Sequence, residues 1–184
     1  MGTITAWIMC PDDTGTYTIF SAGDNNVAGS TESFNFNLVA GKIQLIIIDG
    51  AATRVDVITT NKVVAPHKWT HVAVVQDSFF PRIYVDGVEV AVTRTTATEL
   101  SQWMDDLDNL DNGAIGASYM NNAYTNEFAG YISDVRVYSG TTSISALTHA
   151  EIIKDYSGQY TDLTTTNNGL RAHYTMNRTV VNQT

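Results

Sequence analysis

A run of acidic and amide residues between positions 105 and 113 holds the densest metal-binding chemistry in the sequence. Carboxylate oxygens are the hard ligands that Ca²⁺ prefers, and the ion takes about six to eight of them. Leu110 and the lack of a closing Glu distinguish the run from an EF-hand loop. The run predicts a calcium site, and the alternative is a solvated acidic loop. The predicted ligands are Asp105, Asp106, Asp108 and Asp111.

Aromatic and amide side chains follow in the stretch from 117 to 126. A sugar offers flat C–H faces to aromatic rings and hydroxyl groups to amides, so this mixture predicts a carbohydrate-binding rim near the acidic run. The alternative is that the tyrosines cap the core and the asparagines make turns. The predicted ligand-binding residues are Trp103, Tyr119, Asn121, Asn122 and Tyr124.

Two further segments carry the same kinds of chemistry. Phe79-Phe80-Pro81 is a second candidate for exposed aromatic contacts, and Asp24-Asn25-Asn26 is a second candidate for cation binding.

Motifs for catalysis are missing from the sequence. Retaining glycosidases need two carboxylates about 5 Å apart, and no predicted strand carries acidic residues at i, i+2 and i+4. The sequence has no G-x-S-x-G elbow, no P-loop, no H-E-x-x-H motif and no pair of cysteines. We therefore expect the protein not to be an enzyme.

Composition narrows the possible partners. The 184 residues carry 10 Lys and Arg against 19 Asp and Glu, a net charge of -9, which argues against binding to nucleic acid. The longest apolar run, residues 45–48, is too short to cross a bilayer, so we expect no membrane insertion. The first residues show no secretory signal.

The elements that would position these residues are mostly strands. Thr, Val and Ile far outnumber Leu and Lys, and β-branched residues suit a pleated surface. Short alternating runs separated by Gly, Asn and Asp predict an all-β fold, a two-sheet antiparallel β-sandwich or jelly roll. Asp86-Gly87 predicts a hairpin turn between strands 82–85 and 88–92. Thr148 and Glu151 form a capping box, the motif that begins many helices, and this predicts one short surface helix over 148–156.

Three segments resemble the laminin-G-like, concanavalin-A-like lectin/glucanase family. A "W-x-H-V-A … Y-V-D-G" pattern, a closing "F-x-G-x-I-D-D-V-R-I-Y … L-x-x-x-E-I" pattern and an early "T-i-s-A-W" strand occur in the family's order. The matching residues are 67–74 with 82–88, 128–138 with Ile144, Leu147 and 151–152, and 3–8. The resemblance implies a concanavalin-A-like jelly roll.

Two features depart from the family pattern. The strand that usually opens the family has no counterpart before Thr3, and residues 169–177 supply its pattern at the far end. Either the domain is circularly permuted or a following module starts at 169. We expect permutation, and hence one domain over 1–184, with 159–168 a linker-like loop and 169–176 a final strand. Ser133 replaces the first Asp of the closing segment, which weakens any transfer of a metal site.

The resemblance implies a non-catalytic carbohydrate-binding or adhesion module of a larger extracellular or virion-surface protein. Its partner would be a glycan or a cell-surface glycoprotein. The alternative is a structural module of a fibre, spike or envelope assembly that contacts other copies or modules and has no glycan site. Because β-sandwiches host many unrelated functions, the fold does not choose between them.

Overall fold

Two six-stranded antiparallel sheets pack face to face in a computed structural model of the chain. The structure describes residues 1–24, 31–97, 101–120, 123–139, 146–159 and 169–176. With strands numbered along the chain, the first sheet has the order β14 (Leu170–Tyr174), β13 (Tyr131–Ser139), β1 (Gly2–Met9), β6 (Thr70–Gln76), β7 (Arg82–Val85) and β8 (Val88–Val90). The second sheet has the order β10 (Asn112–Ile115), β2 (Thr16–Gly23), β3 (Ser33–Val39), β4 (Lys42–Asp49), β5 (Ala52–Thr59) and β9 (Val92–Ala97).

Alternating side chains explain why these segments are strands. In β3, Phe34, Phe36 and Leu38 enter the core, and in β1, Ile4 and Ile8 meet them from the first sheet. Successive side chains of a strand point to opposite faces, so one set fills the space between the sheets and the other forms an outer face. The predicted all-β sandwich is confirmed.

The hairpin between β7 and β8 forms at the predicted dipeptide. Asp86 and Gly87 both have positive φ values, 48° and 79°, as the turn requires. The predicted strand over 88–92 is wrong in one respect, because the chain leaves the first sheet at Ala91. Residues 88–90 pair with β7, whereas β9 starts at Val92 and pairs with β5 in the second sheet.

One helix, α1 (His149–Tyr156), covers the outer face of the first sheet. The predicted capping box is present: the Thr148 side chain accepts from the Glu151 N–H, and the backbone N–H of Thr148 donates to the Glu151 carboxylate. Ile152 packs with Tyr84 and Tyr138 in a second, smaller apolar cluster under the helix.

Residues 170–174 form the edge strand of the first sheet. β14 pairs with β13, so the segment that carries the displaced family pattern lies beside the closing segment. The predicted linker-like loop over 159–168 lies, except for Gln159, outside the described residues. In the part of the chain that the structure describes, no helix has the length and apolar character to span a membrane.

Candidate functional site

The outer face of the second sheet carries several polar side chains, with Ile46 and Ile58 among them. Because Phe34, Phe36 and Leu38 point inward, Asn35 and Asn37 point outward. The strand register places further polar side chains beside them, since residues directly opposite on neighbouring strands have Cβ atoms about 5 Å apart. We call this set the polar face, and it consists of Thr18, Ser21, Asn35, Asn37, Gln44 and Asp56. Ile46 lies opposite both Asn35 and Asp56, and Thr18 and Ser21 are buried.

The two asparagines of the polar face hold their amides in a fixed orientation. The hydroxyl of Thr18 donates to Oδ1 of Asn37, and the hydroxyl of Ser118 donates to Oδ1 of Asn35, each at 3.0 Å. Both asparagines are only 7% exposed. Within the described residues neither Nδ2 has a hydrogen-bond partner, and neither is sealed from solvent. Each side chain therefore keeps two N–H donors without a partner among the described residues.

Acceptors lie next to these donors. Gln44 sits directly opposite Asn37 on β4, and its Nε2 donates to Oδ1 of Asp56 at 2.7 Å. That bond leaves Oε1 of Gln44 and Oδ2 of Asp56 to accept from a ligand. A face with oriented donors and acceptors at neighbouring positions suits a ligand rich in hydroxyl groups.

A small hairpin brings two aromatic rings to one side of the polar face. β11 (Ser118–Met120) and β12 (Ala123–Thr125) pair so that Tyr119 lies opposite Tyr124, with ring centroids 4.5 Å apart. Ser118 ties the hairpin to Asn35. Tyr124 is 62% exposed, and Tyr119 is half-buried. The predicted residues Asn121 and Asn122 lie outside the described residues.

Trp103 does not belong to this rim. The ring is fully buried in the core, 4.9 Å from Phe34 in an edge-to-face contact. Its nearness to the acidic run in the sequence suggested a surface position, but a large aromatic side chain gains more from burial between the sheets. The prediction that Trp103 binds a ligand is therefore wrong.

The four carboxylates of the acidic run do not converge on one point. Oδ2 of Asp106 accepts from the backbone N–H of Trp103 at 2.9 Å, and Asp105 lies within 3.3 Å of the amino group of Met1. Asp108 and Asp111 are exposed. Across the described ranges no three His, Cys, Asp or Glu side chains are grouped to hold a metal ion. These four carboxylates are therefore not gathered at one point, and a calcium site that uses them stays a prediction.

The two further candidate segments of the sequence, 24–26 for a cation and 79–81 for aromatic contacts, are described to different extents by the structure. Asp24 is buried, and Asn25 and Asn26 lie outside the described residues. Phe79 is 72% exposed and Phe80 half-buried, so that segment does present aromatic surface.

A buried ionic cluster lies on the other side of the molecule, between α1 and the first sheet. Nε2 of His71 is 3.1 Å from Oδ2 of Asp155, Arg136 pairs with the same carboxylate, and all three side chains are at most 1% exposed. Burial alone raises the pKa of Asp155, but the hydrogen bond with His71 and the charge of Arg136 outweigh it and lower that pKa. The three side chains, shielded from solvent, join the helix to the sheet.

Sequence reasoning missed Asn35 and Asn37, although the signal was present. The alternation Phe34-Asn35-Phe36-Asn37-Leu38 identified the apolar face of a strand. The same alternation places two amides together on the opposite face. Gln44 and Asp56 had no such signal, because their positions depend on the pairing of strands.

The comparisons with known proteins agree with this fold. A model of the family described as the concanavalin A-like lectin/glucanases superfamily matches residues 2–153. A search of curated proteins found no significant match.

Several solved structures share the fold at low sequence identity. The CBM40 of the Ruminococcus gnavus IT-sialidase, bound to α2,3 sialyllactose, is 17% identical with a TM-score of 0.68, covering 83% of this chain and 80% of that chain. The leech intramolecular trans-sialidase is 21% identical with a TM-score of 0.68, covering 84% of this chain but 23% of that chain. The heptameric SAP-like pentraxin of Limulus polyphemus is 15% identical with a TM-score of 0.54, covering 83% and 67%.

Proposed function

Because the chain belongs to the concanavalin A-like lectin/glucanases superfamily, we propose that it is a non-catalytic carbohydrate-binding module with its ligand on the polar face. The observation that carries the proposal is the pair of amides at Asn35 and Asn37. Their oxygens are occupied by protein hydroxyls, and their N–H donors have no partner among the described residues. Sugar hydroxyls accept from these donors and donate to Gln44 and Asp56. Tyr124 supplies an exposed ring for the apolar side of a sugar.

Two further observations support binding without catalysis. The His71 and Asp155 pair, the type of pair that a hydrolase uses for proton transfer, is buried beneath α1 and engaged by Arg136. The structurally similar CBM40 carries sialyllactose in its own structure, which supports a glycan as the class of ligand. A module of this kind acts outside the cell or on a virion or cell surface, on a glycan or a glycoprotein.

An exposed aromatic pair on the first sheet favours a second candidate, a structural module that contacts other proteins. Trp69 and Tyr131 are 42% and 64% exposed, with ring centroids 6.4 Å apart. Such a pair would serve an interface within a fibre, spike or envelope assembly.

A glycan array separates the two candidates. The wild-type protein is screened together with Tyr119→Ala and Tyr124→Ala. Selective binding by the wild type that both variants lose or weaken is the result expected for the binding module. No binding by the folded wild-type protein overturns the proposal and favours the structural module.

A further inference from the structure

A second surface site lies at the side of the sandwich where the first sheet ends at β8 and the second ends at β9. A depression of about 310 Å³ opens there. It shares no residue with the polar face. Its lining consists of Asp77, Phe79, Phe80, Arg82, Glu89 and Arg94.

Arg94 is the unusual member of this site. Its guanidinium carbon lies 3.4 Å from the centroid of the Phe80 ring. Stacking on an aromatic face holds the guanidinium plane and leaves the N–H donors at its edge available. The chain has an excess of nine negative charges, yet among the described residues Arg94 has no ion pair and no hydrogen bond.

The other arginines show what an occupied guanidinium looks like in this protein. Arg54 pairs with Asp49, and Arg136 pairs with Asp134 and Asp155. A stacked guanidinium with free donors matches the geometry of a carboxylate, which it binds through two parallel hydrogen bonds. Arg94 is thus oriented for an anion that the described part of the chain does not supply.

The rest of the lining suits a sugar that carries this anion. Phe79 is 72% exposed and offers a flat apolar face for stacking. Arg82 pairs with Asp77, so the open guanidinium of this lining is that of Arg94. Glu89 accepts from the Tyr84 hydroxyl through Oε2 at 3.3 Å, which leaves its other oxygen to accept from a sugar hydroxyl.

We propose that this depression binds an acidic saccharide, with the carboxylate of one sugar residue on Arg94 and its ring on Phe79. Both contacts are needed, because a carboxylate alone would not use the exposed ring and a neutral sugar would not use the stacked guanidinium. The site is separate from the polar face, and neither site depends on the other.

The test is an NMR titration with trigalacturonate and, as the matched neutral ligand, its methyl ester. We expect trigalacturonate to shift the backbone amides of residues 77–82 and 94, and to bind at least about tenfold more tightly than the ester. Arg94→Gln should weaken binding of the acid by at least about tenfold, and Phe79→Ala should weaken it as well. Lys62→Gln removes the same charge elsewhere on the surface and should leave binding unchanged.

Three results would overturn the proposal. They are equal binding of acid and ester, an unchanged Kd in Arg94→Gln, and shifts confined to the polar face. Asn37→Asp serves as the control that separates the two sites. It should leave trigalacturonate binding unchanged, so failure of one site is not mistaken for failure of the other.

Discussion

His71 and Asp155 meet beneath α1, with Nε2 of the histidine 3.1 Å from Oδ2 of the aspartate and both side chains shielded from solvent. Arg136 contacts the other oxygen of the same carboxylate and reaches Asp134 as well. The helix is therefore joined to the sheet through one carboxylate that serves two partners.

Replacing Asp155 should be costly. Asp155→Asn leaves the buried guanidinium of Arg136 without its full counter-charge, and breaking such a pair costs about 3–5 kcal/mol. The free energy of unfolding, measured with urea at pH 7, should fall by that amount. Asp108→Asn, in an exposed position, is the control and should change it by less than about 0.5 kcal/mol. Equal effects of the two substitutions would contradict this role.

The same carboxylate should make stability depend on pH. Because the pKa of Asp155 is lower in the folded protein than its ordinary value of 3.8, the unfolded chain binds the proton more tightly. The ionised Asp155 therefore adds to the free energy of unfolding at pH values above 3.8. This added stability is lost as the pH falls through the pKa of Asp155 in the folded protein. Asp12, whose pKa is lowered to about 2 by hydrogen bonds from Thr14, Tyr17 and Gly15, acts in the same direction.

Urea titrations between pH 6 and pH 2 measure this dependence. Between pH 4 and pH 2 the wild-type protein should lose more stability than Asp155→Asn does, since the variant lacks the titrating group. Identical pH profiles for the two proteins would be inconsistent with a lowered pKa at Asp155.

Gly130 should tolerate no side chain. Its φ is +152°, and a Cβ there would overlap the carbonyl oxygen of Met9. Strain and overlap together should make Gly130→Ala destabilising by about 2–5 kcal/mol. Gly158 also has a positive φ, +77°, but the space around it is open. Gly158→Ala should therefore cost only the backbone strain of a side chain at positive φ, about 1–2 kcal/mol. Thermal unfolding of both variants measures the difference, and equal losses would refute the overlap.

Trp103 and Tyr124 should now behave in opposite ways, although the sequence grouped them. Trp103→Ala removes a fully buried side chain and should lower the unfolding free energy by about 3–5 kcal/mol. Tyr124→Ala changes an exposed position and should stay within about 0.5 kcal/mol of the wild type. Chemical unfolding compares them. A large loss for Tyr124→Ala together with a small loss for Trp103→Ala would reverse the assignment.

Local pattern was enough to predict most of the strands, the hairpin at Asp86 and the helix cap at Thr148, because each depends on neighbours in the sequence. It did not predict β9, β11 or β12. The candidate site could not be predicted in this way, because it depends on contacts between residues that are far apart in the sequence. Asn37 meets Gln44 only through the register of β3 and β4. Trp103 was misplaced because nothing in its neighbourhood shows that Phe34, far away in the sequence, packs against it. The carboxylates between 105 and 111 are close in sequence, but Asp106 turns back to the Trp103 N–H.

The most direct test of glycan binding on the polar face is a calorimetric titration of Asn37→Asp with the tightest glycan found on the array. The substitution keeps the shape of the side chain and the acceptor for Thr18, but it removes the two N–H donors. Asn109→Asp adds the same charge in an exposed loop and is the control. We predict that Asn37→Asp weakens binding at least about tenfold while Asn109→Asp binds as the wild type does. An unchanged Kd in folded Asn37→Asp would contradict the assignment of the polar face as the glycan site.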